Sequence, residues 1–327
     1  MPVLSRALPF AVLLSALLAC TVAYADDYPS RPVKVVVPFP AGGPSDFTAR
    51  LLADKLAASL KQPFIVENRP GASGNIGTDA VAKAEPDGYT LLLAPETPLT
   101  VNPGLYPKLP FDPVNDLATI SIVASFSLML IVHPSVPATS VAEFVAYAKS
   151  LKDKPLLYGS GGGRGDPGHL TMEYFRLQAG FEAVHVPYKG NAEVAMGLVG
   201  GQIQAGFLAT QGVLQLAQEG RLKGLAVSSP QRTPFGPQIP TMKESGYSNF
   251  EVGFYLVMSA PKAVPERVLA VLEREVRQAL QIPDVQARLR AQALNPIGSA
   301  AAEGQAMLMS AAERWQSVIK ASNIKLD

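Results

Sequence analysis

Apolar positions along the chain fall into short continuous runs that alternate with longer helical stripes. Val33–Val37 is an apolar run interrupted only by Lys34, the pattern of a strand buried on both faces. Gly42, Gly43 and Pro44 end it. Pro44 suits the first turn of a helix whose stripe is Phe47, Leu51, Leu52, Leu56 and Leu60. Residues 64–67, 75–84 and 90–94 then read as strand, helix and strand. This βαβαβ run predicts a parallel sheet covered by helices.

The middle of the chain repeats the theme. Strands are predicted over 120–124, 128–133, 156–158, 184–186, 203–208 and 224–228, and helices over 141–151, 168–179, 192–199 and 212–218. A run at 252–259 reads as a strand returning to the first unit, and helical stripes over 265–280 and 300–321 close the chain. The expected fold is α/β and two-lobed, a type II-like binding-protein architecture. Each lobe is a mostly parallel sheet flanked by helices. Residues 26–124 and 251–327 form a discontinuous first domain and 125–250 the second, with a hinge near 124–127 and 250–253.

The first 25 residues change the compartment. Arg6 precedes an apolar run from 7 to 23, and Ala23-Tyr24-Ala25 is an A-x-A cleavage site, the layout of a secretory signal peptide. The run is barely as long as a membrane span requires. Leu17-Leu18-Ala19-Cys20 offers a second reading, lipidation at Cys20, although leucine fits that pattern poorly at its position. Cleavage after Ala25 removes the lone cysteine, which suits an oxidising compartment and excludes disulfides and thiolate chemistry. It also removes Arg6 from the 28 basic residues, so the charges balance and no global basic footprint for nucleic acid remains.

Open parallel sheets bind ligands at the carboxyl ends of their strands, and glycine-rich segments fall there. The first is Phe39-Pro40-Ala41-Gly42-Gly43-Pro44-Ser45-Asp46; glycine admits close backbone approach, and the helix beginning at Pro44 offers N–H groups and a positive dipole end to an anion. Asp46 is better explained as a favourable first-turn acid than as a ligand contact. The second is Gly159-Ser160-Gly161-Gly162-Gly163-Arg164-Gly165-Asp166-Pro167-Gly168, where an arginine fork suits a carboxylate. It contains a G-x-G-x-x-G match ending at Gly168, but no acid follows near 184–189 to hold a ribose, so no nucleotide cofactor is expected. No G-x-S-x-G elbow or H-E-x-x-H motif occurs. His169 and Glu173 stand one helical turn apart, as two metal ligands would, but a histidine contacting backbone at a helix start is far more common, and no metal is expected.

The strings YPSRPVKVVVPFPAGGPSD (28–46), ENRPGASGNIG (67–77), PDGYTLLL (86–93), NPGLYPKLPFDP (102–113) and VPYKG (186–190) resemble the substrate receptors of tripartite tricarboxylate transporters, the Bug proteins. The resemblance covers essentially the whole mature chain. It implies a hinged, monomeric periplasmic receptor with no catalytic residues. Such a receptor holds a carboxylate on backbone amides of both glycine loops and docks on a permease with one large and one small membrane subunit. Against the family pattern, Leu208 follows Phe207 where many relatives carry an aspartate that meets a ligand ammonium group. The loop after the third strand is stiffened as Pro95-Glu96-Thr97-Pro98. The expected ligand is therefore a carboxylate with an apolar or aromatic body. Tyr188, Phe207 and Leu208 are expected along an apolar wall, and Thr97, Arg164 and His169 at the polar edge. A sensor for a membrane kinase is the alternative use of the same site.

Overall fold

The computed structural model describes residues 28–325 apart from 152–153, 162–163, 234–235 and 251. The expected signal peptide, Cys20, Gly162 and Gly163 lie outside the described residues. The strands are β1 (Val33–Val37), β2 (Phe64–Asn68), β3 (Thr90–Pro95), β4 (Leu117–Val132), β5 (Leu156–Ser160), β6 (Ala183–Pro187), β7 (Ala205–Ala209), β8 (Lys223–Val227), β9 (Gly253–Pro261) and β10 (Leu294–Pro296). The helices are α1 (Pro44–Leu60), α2 (Asn75–Ala82), α3 (Thr97–Thr100), α4 (Asn102–Leu105), α5 (Val141–Ser150), α6 (Pro167–Ala179), α7 (Asn191–Val199), α8 (Thr210–Gln218), α9 (Glu266–Gln281), α10 (Pro283–Ala291) and α11 (Ala301–Ala321).

One sheet path links both halves in the order β2-β1-β3-β9-β4-β7-β5-β6, with β8 and β10 also paired to β4. In the first half β1 runs parallel to β2 and β3, and in the second β5 runs parallel to β6 and β7. The valines of β1 are buried on both faces, with Val33, Val35, Val36 and Val37 all at most 1% exposed, while Lys34 turns outward to pair with Glu67 at 2.8 Å.

The sequence pattern breaks at Ser125-Phe126-Ser127 and suggests two strands, but the structure has one, β4, of 16 residues. The serines sit where that strand changes partners. It pairs antiparallel with β9 as far as Ser127↔Gly253, and with β7 from Leu128↔Ala209 onward. The two halves are thus joined through adjacent backbone at 127–128 and 252–253. The closing helix α11 forms a third connection. Its Leu308 packs with the first sheet beside Ile122 and Val257, while Trp315, Val318 and Ile319 enter the cluster holding Phe175, Phe207 and Phe250. The Trp315 ring stacks on Phe254 of β9 at 5.0 Å. Among the described residues no helix is long and apolar enough to cross a membrane.

Candidate functional site

A cleft of about 750 Å³ opens where the carboxyl ends of β1, β3 and β5 face one another. The first loop is shaped by Asp46. Its carboxylate accepts from the Gly42 N–H at 3.0 Å, the Asn68 Nδ2 at 2.9 Å and the Arg50 guanidinium at 2.9 Å. Asn68 Nδ2 also reaches the Phe39 carbonyl at 3.1 Å. Gly42 has φ +85, a left-handed turn that glycine adopts without strain. The hydrogen bond from Arg50 chiefly holds the Asp46 carboxyl down to about 2, against the opposing effect of burial. Asp46 is therefore spent on the loop, which presents backbone amides of α1's first turn to the cleft.

The second loop rests on two histidines. Gly165 has φ +81 and its N–H donates to His169 Nδ1 at 2.9 Å, while Asp166 caps α6 by accepting the His169 N–H at 2.7 Å. The His169 ring stacks on His185 at 3.9 Å, and His185 Nε2 meets the Ser160 hydroxyl at 2.7 Å. Burial pushes His169 down to about 3 and His185 down to about 4. Both rings are neutral at pH 7, so the Nδ1 lone pair of His169 stays available to Gly165. A Cβ on Gly161 would come within 2.5 Å of the Asn191 nitrogen, so this glycine lets the loop lie against the start of α7.

Phe39, Ala41, Gly42, Gly43, Ser45, Asp46 and Thr97 line the cleft from the first half; Gly161 and Arg164 line it from the second. The Arg164 Nη1 also donates to the Lys325 carbonyl at 3.2 Å, tying the loop to the end of the chain. Ser160 and His169 are buried beneath the loop and act on the cleft through it. Three expectations are corrected. Leu208 is 1% exposed and packs among Met129, Ile131 and Val194, because β7 turns it into the sheet's interior. Tyr188 closes against Gly197 and Gly159, away from the cleft lining. Phe207 belongs to the core with Phe175 and Phe250, and reaches only a side cavity of about 170 Å³.

Glu96 does not face the ligand space. It is 0% exposed, accepts the Trp315 Nε1–H at 3.1 Å on Oε1 and leaves Oε2 without a partner. Burial pushes its pKa up to about 8. The carboxyl is therefore mostly protonated at neutral pH and adds little negative charge beneath the cleft.

Sequence reasoning missed Ser73, Asn102, Phe126, Asn191 and Leu256, all of which line the cleft. Ala72 and Ser73 have φ of 48 and 53, left-handed values that non-glycine residues hold only when their surroundings enforce them. Asn102 supplies part of that enforcement by donating Nδ2 to the Ser73 carbonyl at 3.1 Å and to Asn75 Oδ1 at 2.6 Å. The GASGN string was the available signal, since two glycines flanking Ala-Ser mark a tight turn.

Comparison with known proteins shows the family. The profile described as "Tripartite tricarboxylate transporter family receptor" matches residues 48–324. The chain belongs to that receptor family. Protein BugT of Bordetella pertussis is 35% identical to this receptor over 303 residues, covering 92% of each chain. The solved structure of Rhodopseudomonas palustris Rpa4515 with adipate is 32% identical, with a TM-score of 0.79 over 91% of this chain and 100% of that one. MatC from the same organism, with bound malate, is 28% identical, with a TM-score of 0.73 over 89% of this chain and 100% of that one. The receptor thus has the two-lobed fold of periplasmic binding proteins. Its relatives are solute-binding proteins rather than enzymes.

Proposed function

We propose that this receptor captures a small organic acid in the periplasm and delivers it to a tripartite tricarboxylate-type permease of one large and one small membrane subunit. It does so as a monomer. The supporting observation is the opposition, across one cleft, of two strand–helix loops whose acidic side chains are already consumed. Asp46 is tied to Gly42, Asn68 and Arg50, and Asp166 accepts the His169 N–H. Helix N-terminal amides border the cleft, and Arg164 stands on its lining beside them. Such ends attract anions.

The carboxylate sits between the 39–46 loop and the 160–165 loop, including Gly162 and Gly163. Phe126 and Leu256 give it an apolar floor. The adipate and malate bound by relatives are acids of this kind. Domain 26–124 with 251–327 closes on domain 125–250 by rotation at 127–128 and 252–253. A thermal-shift screen against an organic-acid panel tests the reading, because a ligand that binds only the folded state raises its melting temperature. A panel in which acids give no shift, while neutral analogues do, would refute it.

A further inference from the structure

Phe126 lines the ligand cleft and two further cavities. The 170 Å³ side cavity shares Pro44, Phe126, Asp166, Pro167 and Asn191 with the cleft. That cavity in turn shares Phe126, Ser127, Ala293 and Leu294 with a third space of about 310 Å³, between residues 229–233 and residues 290–295. The chemistry changes along this path. The cleft offers backbone amides. The middle is walled chiefly by apolar groups, Phe126, Leu128, Phe207 and Leu294 among them, with Asp166, Asn191, Thr210 and Gln292 also on its lining. The far space is lined by Ser229, Gln231, Arg232, Arg290 and Asn295.

The two arginines differ. Arg232 is neutralised by Glu244, whose carboxylate accepts its Nε–H at 2.9 Å. Arg290 meets only the neutral Gln286 Oε1 at 3.3 Å, and among the described residues it has no acidic partner. Its neighbour Arg288 is placed differently, over the Phe47 ring. As a basic residue in the last turn of α10, Arg290 also favours that helix end. That accounts for a charge there; the exposed guanidinium also lines a space that shares walls with the cavity beside the ligand cleft. The loop carrying it turns through Ala293 at φ 52, a left-handed conformation that strains a residue with a Cβ.

We infer that Arg290 is a specificity-determining residue that receives the second acidic group of an elongated, apolar-bodied diacid whose first carboxylate lies on the glycine loops. This rests on the proposed capture of an organic acid in the cleft. An amide-lined end, an apolar middle and a guanidinium end match a molecule with acid groups at both ends and no polar group between. A short acid fills only the first space. The path crosses the hinge residues Phe126 and Ser127, so a ligand of this length touches both halves.

The test is calorimetry with unbranched α,ω-dicarboxylates from four to ten carbons, each beside the monocarboxylate of equal length. Wild-type affinity should rise with diacid length and exceed that of the matched monoacid once the chain reaches the far space. Arg290→Gln should weaken the long diacids about tenfold or more, as loss of a charge-assisted contact does, and leave monoacids and the shortest diacid unchanged. Arg290→Lys should restore part of the loss. Equal binding of long diacids by wild type and Arg290→Gln overturns the inference, as does a uniform loss for all acids. If no acid of either series binds the wild type, the capture reading itself fails, which is a distinct result.

Discussion

Replacing Glu96 by glutamine should raise stability progressively from about pH 5 upward and leave it unchanged near pH 4. The carboxyl is fully buried, with Trp315 Nε1 on one oxygen and nothing on the other. Its pKa rises from 4.5 to about 8, mainly through burial. A raised carboxyl pKa means that the folded chain holds a proton which the unfolded chain releases. The stability it provides is complete below pH 4.5 and is lost as pH rises toward 8. At about 1.4 kcal/mol per pH unit, the loss is about 3 kcal/mol at pH 7 and roughly 5 kcal/mol above pH 8, an upper bound because local opening hydrates the group. Glutamine is isosteric, keeps an acceptor for Trp315 and does not ionise. Calorimetric melting from pH 4 to 9 should show the variant and wild type together at pH 4 and diverging by on the order of 5–10 °C by pH 8. The histidines govern the opposite limb. His169 and His185 are held neutral by burial, so their stability is lost as pH falls below about 6.5, and Glu96→Gln should leave that limb alone. Superimposed curves at every pH would refute the placement of a protonated acid under the cleft.

Further outcomes can be measured. Gly43→Val should abolish acid binding with the fold intact, since a Cβ there meets only the Pro40 carbonyl at 3.7 Å and projects into free space; normal affinity with an unchanged circular dichroism spectrum would move the site elsewhere. Gly161→Ala should instead disturb the loop itself, lowering melting temperature as well as affinity, because its Cβ collides with the Asn191 nitrogen. Arg164→Ala should weaken acid binding about tenfold, and an unaltered titration would assign that arginine to the chain terminus alone. Small-angle scattering should show a smaller radius of gyration at ligand saturation, and an unchanged profile would count against closure.

Much of this fold is legible in the sequence because its strands carry their burial in their composition. Val33–Val37 reads as a strand buried on both faces, and Pro44 as a first-turn proline, because each pattern has one local solution. What escapes is set by distant partners. The Ser125–Ser127 break looks like a loop until β9 and β7 take up opposite ends of one strand. The short helix α3 and the strand β10 are held by tertiary contacts rather than by periodicity. Gly42, Gly43, Ser45 and Arg164 line the cleft where the sequence led one to look, because loops after parallel strands are privileged positions. Leu208 and Tyr188 were misplaced because alternation says which residues share a face, but not which face meets the ligand. Asn102 and Asn191 lie on the cleft only because separate helices begin there.

The most direct test of carboxylate capture by loop amides is calorimetric titration of the mature protein with acids that shift its melting temperature, each beside its uncharged primary amide. Electrostatic capture predicts that the acid binds and that the amide of the same shape loses at least tenfold in affinity, with Gly43→Val abolishing the acid signal. Equal affinity for acid and amide, or undiminished acid binding in Gly43→Val, would contradict it.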